Sequence, residues 1–158
     1  MNRCDQAMRH SVVDTLEKMV FMEITPVEVR ATPLAAADWK TVSLLIHDPV
    51  QGEVRLSMPR SLISKITETM YNLSAEEITE QMLDDNLAEI INIIAGRFMN
   101  EILDDGQAFR LGLPELEPAD PIDPSMESRE WTFSSDADEF TVVTIGNDLL
   151  CQLPARHD

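Results

Sequence analysis

Between residues 74 and 106 the chain reads "SAEEITEQMLDDNLAEIINIIAGRFMNEILDDG", with apolar residues at helical spacing and no proline. Ser74 with Glu77 three residues on is a capping box, and Gly106 stands where a C′ glycine belongs. The pattern predicts one long helix ending near Asp104, with a bend near Asp84. Taking Asp85 as zero and about 100° per residue, Ile90, Ile91, Ile94 and Phe98 fall between about 140° and 240°. A helix this long with one apolar side must lay that side on a second layer.

The flanking segments supply that layer. "VEVRAT" (27–32) alternates like a strand. "WKTVSLLIH" (39–47), the turn "DPVQG" (48–52) and "EVRLSM" (53–58) read as a hairpin. "AFRLGLP" (108–114) alternates, and "EWTFSS" (130–135), "EFTVVTI" (139–145) and "DLLCQL" (148–153) close the chain as strands. Two further helices are expected, an amphipathic one over 5–22 and one opened by Pro59 that runs to about Asn72. Residues 114–130, with four prolines and six acidic residues, read as a loop, either a functional flap or a mobile surface segment. Short connections favour antiparallel pairing. The expectation is a single α+β domain over 1–158, a largely antiparallel sheet with long helices packed on one face.

With 158 residues and 44 % hydrophobic content, such a chain builds its own core. No apolar run approaches the ~20 residues of a membrane span, and the N-terminus lacks a secretory signal, so a cytoplasmic protein is expected. Twenty-nine acidic against twelve basic residues give a formal charge of −17, which argues against nucleic acid and, more weakly, against anionic membranes. Cys4 and Cys151 are expected as a thiol pair, although a disulfide between them is possible. His10, His47 and His157 are scattered, and no Cys/His cluster has metal-ligand spacing.

The polar side of the long helix is less ordinary. Asp85, Glu89, Asn92 and Gly96 fall in a ribbon about 60° wide, opposite the apolar side. A solvated face accounts for Asp85 and Glu89. It accounts poorly for Asn92 and Gly96, because Gly costs about 1 kcal/mol against Ala in a helix and Asn is a mediocre helix former. Gly96 leaves room for close approach, and Asn92 offers a donor and an acceptor on a rigid mount.

The spacing D-x3-E-x2-N-x3-G within "DNLAEIINIIAG" resembles the signature of the CheC/CheX/FliY family of chemotaxis phosphatases. The helix ending in "MVFMEITP", the hairpin "VSLLIHDPVQGEVRLSMP" leading into a helix, and "RLGLPELE" after the signature fall where that family would put them, over roughly residues 8 to 150. CheC-like members carry the motif twice. Here the first helix, "SVVDTLEKMVFM", lacks it, so the chain resembles CheX, with one site. The long acidic segment 114–130 departs from the family pattern.

The resemblance implies hydrolysis of the aspartyl phosphate of a CheY-type response-regulator receiver domain. By resemblance, Asn92 would position the attacking water and Glu89 would pair with the receiver's active-site Lys. Asp85 would support that contact, and Gly96 would give clearance. No cofactor of the chain's own is implied, because the phosphorylated receiver brings its Mg2+. A homodimer joined at sheet edges is implied as well. Two other readings stay open: a non-catalytic adaptor of the same fold that binds a receiver or flagellar protein, and a small-molecule domain with a closed pocket lined by methionines.

Overall fold

The computed structural model describes residues 2–28, 38–118, 121–136 and 138–146. Three α-helices, α1 (Arg3–Val20), α2 (Arg60–Tyr71) and α3 (Glu80–Ile102), lie against a seven-stranded antiparallel sheet. Its strands are β1 (Thr25–Val27), β2 (Trp39–Asp48), β3 (Gly52–Pro59), β4 (Arg110–Leu111), β5 (Glu115–Leu116), β6 (Ser128–Ser135) and β7 (Asp138–Ile145). The order across the sheet is β1-β6-β7-β3-β2-β4, with β5 also paired to β2. This is the α+β architecture expected from the sequence, with the helices on one face.

Period-two alternation sets that face. Register pairs Val42 with Leu56, Leu44 with Val54 and Leu56 with Val142, and all five side chains are fully buried toward the helices. Phe133 opposes Phe140 with ring centroids 5.3 Å apart. Above them lie Ile90, Ile91, Ile94 and Phe98 of α3, each fully buried. Burying four such side chains stabilises the fold by about 6–12 kcal/mol before entropy is counted. A few weak helix formers on the other side of α3 are easily carried.

Several boundaries differ from expectation. The Ser74–Glu77 capping box forms, but it closes only a 3-10 turn at Ala75–Glu77, and Ile78 is extended. The long helix starts after a second cap, Thr79, whose hydroxyl accepts from the Met82 amide. It is helical without a break through Asp84 and ends at Ile102. Gly106 therefore is not its C′ residue. It sits at φ +77° in a turn closed by Gln107 N–H donating to Asp104 O. Pro59 ends β3 and occupies the N-cap of α2 rather than its first turn. α1 spans Arg3–Val20 because Asn2 and Asp5 form an N-terminal capping box.

The first short strand lies at Thr25–Val27, ahead of the expected 27–32, and residues 29–37 are outside the described residues. The expected strand 108–114 shrinks to Arg110–Leu111, and β5 forms inside the segment read as loop. Both short strands pair with β2, where Gly112 N–H donates to Leu45 O. A Cβ at Gly112 would lie 3.1 Å from His47 Nε2, a tight contact that a larger residue could take only if the imidazole shifted by a few tenths of an ångström. The expected strand 148–153 lies outside the described residues. Cys4 is buried and disulfide-bonded, not the thiol expected. A fully buried position shields it from the aqueous reductant on which that expectation rested. The chain's other cysteine, Cys151, is outside the described residues.

Candidate functional site

Helix α3 is fixed along its whole length. At its first turn, Lys40 reaches up from the core face of β2 to Glu80 (3.2 Å) and Asp84 (2.7 Å). Lys40 itself is only 8 % exposed. One turn on, the buried Asn86 donates Nδ2 to Thr67 Oγ1 of α2 (3.0 Å), and that hydroxyl donates to Ile63 O (2.6 Å). Further along, Arg97 pairs with Asp14 of α1. At the C-terminal end the Arg3 guanidinium donates to Glu101 O (3.1 Å) and Ile102 O (2.7 Å), capping two carbonyls that the helix leaves free. α1 packs closely here because its inner stripe is small: Ala7, Ser11 and Thr15 are buried. The hydroxyls of Ser11 and Thr15 bond back to Ala7 O and Ser11 O.

On this mount the four expected site residues share one outward ribbon. Asp85, Glu89 and Asn92 are exposed and Gly96 is half-buried. Gln81, one turn before, donates Nε2 to Asp85 Oδ1 at 2.7 Å, so the first carboxylate is steered. Among the described residues no hydrogen bond or ion pair engages the side chain of Glu89 or Asn92. A Cβ built on Gly96 meets nothing within 4 Å, so the fold itself does not ask for glycine there. The ribbon thus offers a carboxylate and a carboxamide, three residues apart and free, beside a bare stretch of backbone. A carboxylate can take a cation from another molecule, and a carboxamide can hold a water by two hydrogen bonds.

The sequence reading missed the residues that hold this ribbon in place. Glu80 falls on the apolar side of the helical wheel and Asp84 at its edge, and Lys40 falls on the core face of β2 with Val42 and Leu44. Acids on one core-facing surface and a base on another are a legible signal of a buried pair. Asn86 carries no such signal, since it borders the polar side.

On the opposite face of the sheet, an open groove of about 500 Å³ is lined by Leu45, Glu53, Arg55, Ile122 and Met126 among others. It contains one methionine, whereas Met8, Met58 and Met99 are core filler, so it is not the closed methionine pocket of the small-molecule reading. Asp123 beside it accepts from the Ser125 amide (2.9 Å) and hydroxyl (2.8 Å), which hold its carboxyl below the usual range. No group of three His, Cys, Asp or Glu among the described residues could hold a metal. No described helix is long and apolar enough to cross a membrane.

Comparison with known proteins places this geometry in a family. The family model "Chemotaxis phosphatase CheX" matches residues 41–123, which span the β2–β3 hairpin, α2 and the whole of α3. No curated protein matches the sequence. Among solved structures, a CheC-like superfamily protein from Shewanella sp. PV-4 superposes with a TM-score of 0.73 at 20 % identity, covering 92 % of this chain and 98 % of that one. The chemotaxis protein CheX from Vibrio vulnificus gives 0.70 at 16 % identity, over 91 % and 96 %. A CheX-CheY-BeF3-Mg2+ complex from Borrelia burgdorferi gives 0.65 at 17 % identity, over 90 % and 96 %. These identities speak for the fold, and the family match over more than half the chain settles membership: the chain belongs to the chemotaxis phosphatase CheX family.

Proposed function

We propose that the chain hydrolyses the aspartyl phosphate of a CheY-type receiver domain. One observation carries the reading: Glu89 and Asn92 stand exposed and unpartnered, three residues apart, on a helix tied to β2, α2 and α1. An acyl phosphate is already labile, so the helper's task is to place a water in line with phosphorus. Docked over the ribbon, the receiver would give its active-site ammonium to Glu89. The Asn92 carboxamide would then hold the water. The water oxygen bonds to phosphorus, the bond from phosphorus to the aspartyl oxygen breaks, and the aspartate leaves as carboxylate. The proton passes to solvent or phosphate. Mg2+ carried by the receiver would neutralise the phosphoryl oxygens. Asp85, steered by Gln81, supports the Glu89 contact, and Gly96 lets the receiver's backbone come close. A homodimer in the cytoplasm belongs to the same proposal.

The experiment is phosphate release from each phosphorylated CheY-type receiver of the same organism, with and without this protein. At least one receiver should lose phosphate faster. A receiver that binds with no change in phosphate lifetime would instead mean an adaptor.

A further inference from the structure

Phe21 is a large apolar side chain that the fold leaves in water. Of the chain's five phenylalanines, Phe98, Phe133 and Phe140 are fully buried and Phe109 packs against the core, whereas Phe21 is 88 % exposed. A single exposed apolar residue is ordinary on a protein surface. Three further observations set this one apart.

Its backbone is left-handed, φ 58° and ψ 27°, at the C-cap of α1, where its N–H donates to Glu17 O at 3.0 Å. That conformation suits Gly or Asn and is uncommon for a bulky residue. Nor is the ring exposed because the segment is loose. Val20 before it and Ile24 after it are both 4 % exposed, so the chain is pinned on each side.

The third observation is position. α1 runs antiparallel to α3, with His10 against Glu101 and Asp14 against Arg97. Four residues forward on α1 match four residues back on α3. Continuing seven residues from Asp14, about 10 Å at 1.5 Å per residue, reaches Phe21 on α1 and Ile90 on α3, between Glu89 and Asn92. Packed helix axes lie about 8–10 Å apart. A standard interface covers about 800 Å² per partner, a disc roughly 16 Å in radius, so one centred on the ribbon takes in Phe21.

We infer that Phe21 is a preorganised aromatic anchor that seats in an apolar depression of the docked receiver domain, beside its phosphorylation site. The inference rests on the function proposed above. The polar ribbon gives register and chemistry, while an aromatic on a pinned backbone at its border gives affinity. This is the division usual at interfaces, where a few aromatic anchors carry most of the binding.

The test uses Phe21→Gly and Phe21→Tyr in the full chain. The probe is the receiver that the wild-type protein dephosphorylates, loaded with beryllofluoride and Mg2+ for binding and phosphorylated for kinetics. Glycine is the residue the left-handed cap prefers, so Phe21→Gly should melt at or above the wild-type temperature. Its Kd should nevertheless rise on the order of tenfold or more, with the kinetic effect on KM and not on kcat. Phe21→Tyr keeps the ring and should bind like wild type. Equal affinity of Phe21→Gly and wild type would overturn the anchor while leaving the phosphatase reading intact. A change of oligomeric state in Phe21→Gly would assign the ring to contact between copies and overturn it too. If the wild type neither binds nor dephosphorylates any receiver, the function falls and the anchor with it.

Discussion

Asn92 and Gly96 together cost α3 about 1.5 kcal/mol of helical propensity relative to alanine. The fold recovers nothing from either side-chain position, because the Asn92 carboxamide bonds to no described residue and the space beside Gly96 is empty. Local stability and sequence disagree at both positions, and such disagreements cluster where function sets the residue. The consequence can be measured. Gly96→Ala should raise stability in urea by about 1 kcal/mol, since a methyl there meets nothing and alanine is the best helix former. Gly96→Leu should also fold, yet slow receiver dephosphorylation by blocking close approach. A leucine variant as active as wild type would remove the clearance role.

At the scale of elements, the site is a matter of how α3 is clamped. Lys40, Asn86, Arg97 and Arg3 fix it to β2, α2 and α1 in turn. Lys40→Met removes the buried base that pairs with the partly exposed Asp84, while Glu80, more than half exposed, keeps its pairing with Arg60. We expect a loss of about 1–3 kcal/mol in denaturant unfolding, and a fall in kcat with the site residues untouched. The hairpin and the ribbon were legible because each is a local pattern: period two for the strands, and D-x3-E-x2-N-x3-G for the helix. The start of α3 was misplaced because two caps lie within five residues of each other. Ser74 makes its own box around a 3-10 turn, and only the extended Ile78 between that turn and Thr79 decides which cap opens the helix. β4 and β5 were misread because short edge strands are made by pairing with β2, which their own sequence does not record. The anchors of α3 bridge distant segments, and a linear pattern shows such pairs only as misplaced charges.

For the whole molecule, closure runs from the first turn of α1 to the far strands. Asp5, 7 % exposed, accepts from the Asn2 amide (3.2 Å) and from Trp131 Nε1 (3.0 Å), and pairs with Arg129 through both carboxylate oxygens. One carboxylate thus joins the N-cap of α1 to β6, more than a hundred residues away. Asp5→Ala leaves an indole N–H and a guanidinium without their acceptor and should cost about 2–4 kcal/mol, read as a lower denaturation midpoint with an unchanged m-value. Such a frame holds α3 and its polar ribbon in place. In the proposed mechanism Asn92 acts in the chemistry and not in the docking, and single-turnover decay of the phosphorylated receiver at saturating protein isolates that step. Asn92→Ala should bind the beryllofluoride-loaded receiver with wild-type affinity and lose the acceleration, on the order of a hundredfold for a group that positions the nucleophile. Acceleration that survives in Asn92→Ala would mean that the carboxamide does not position the attacking water.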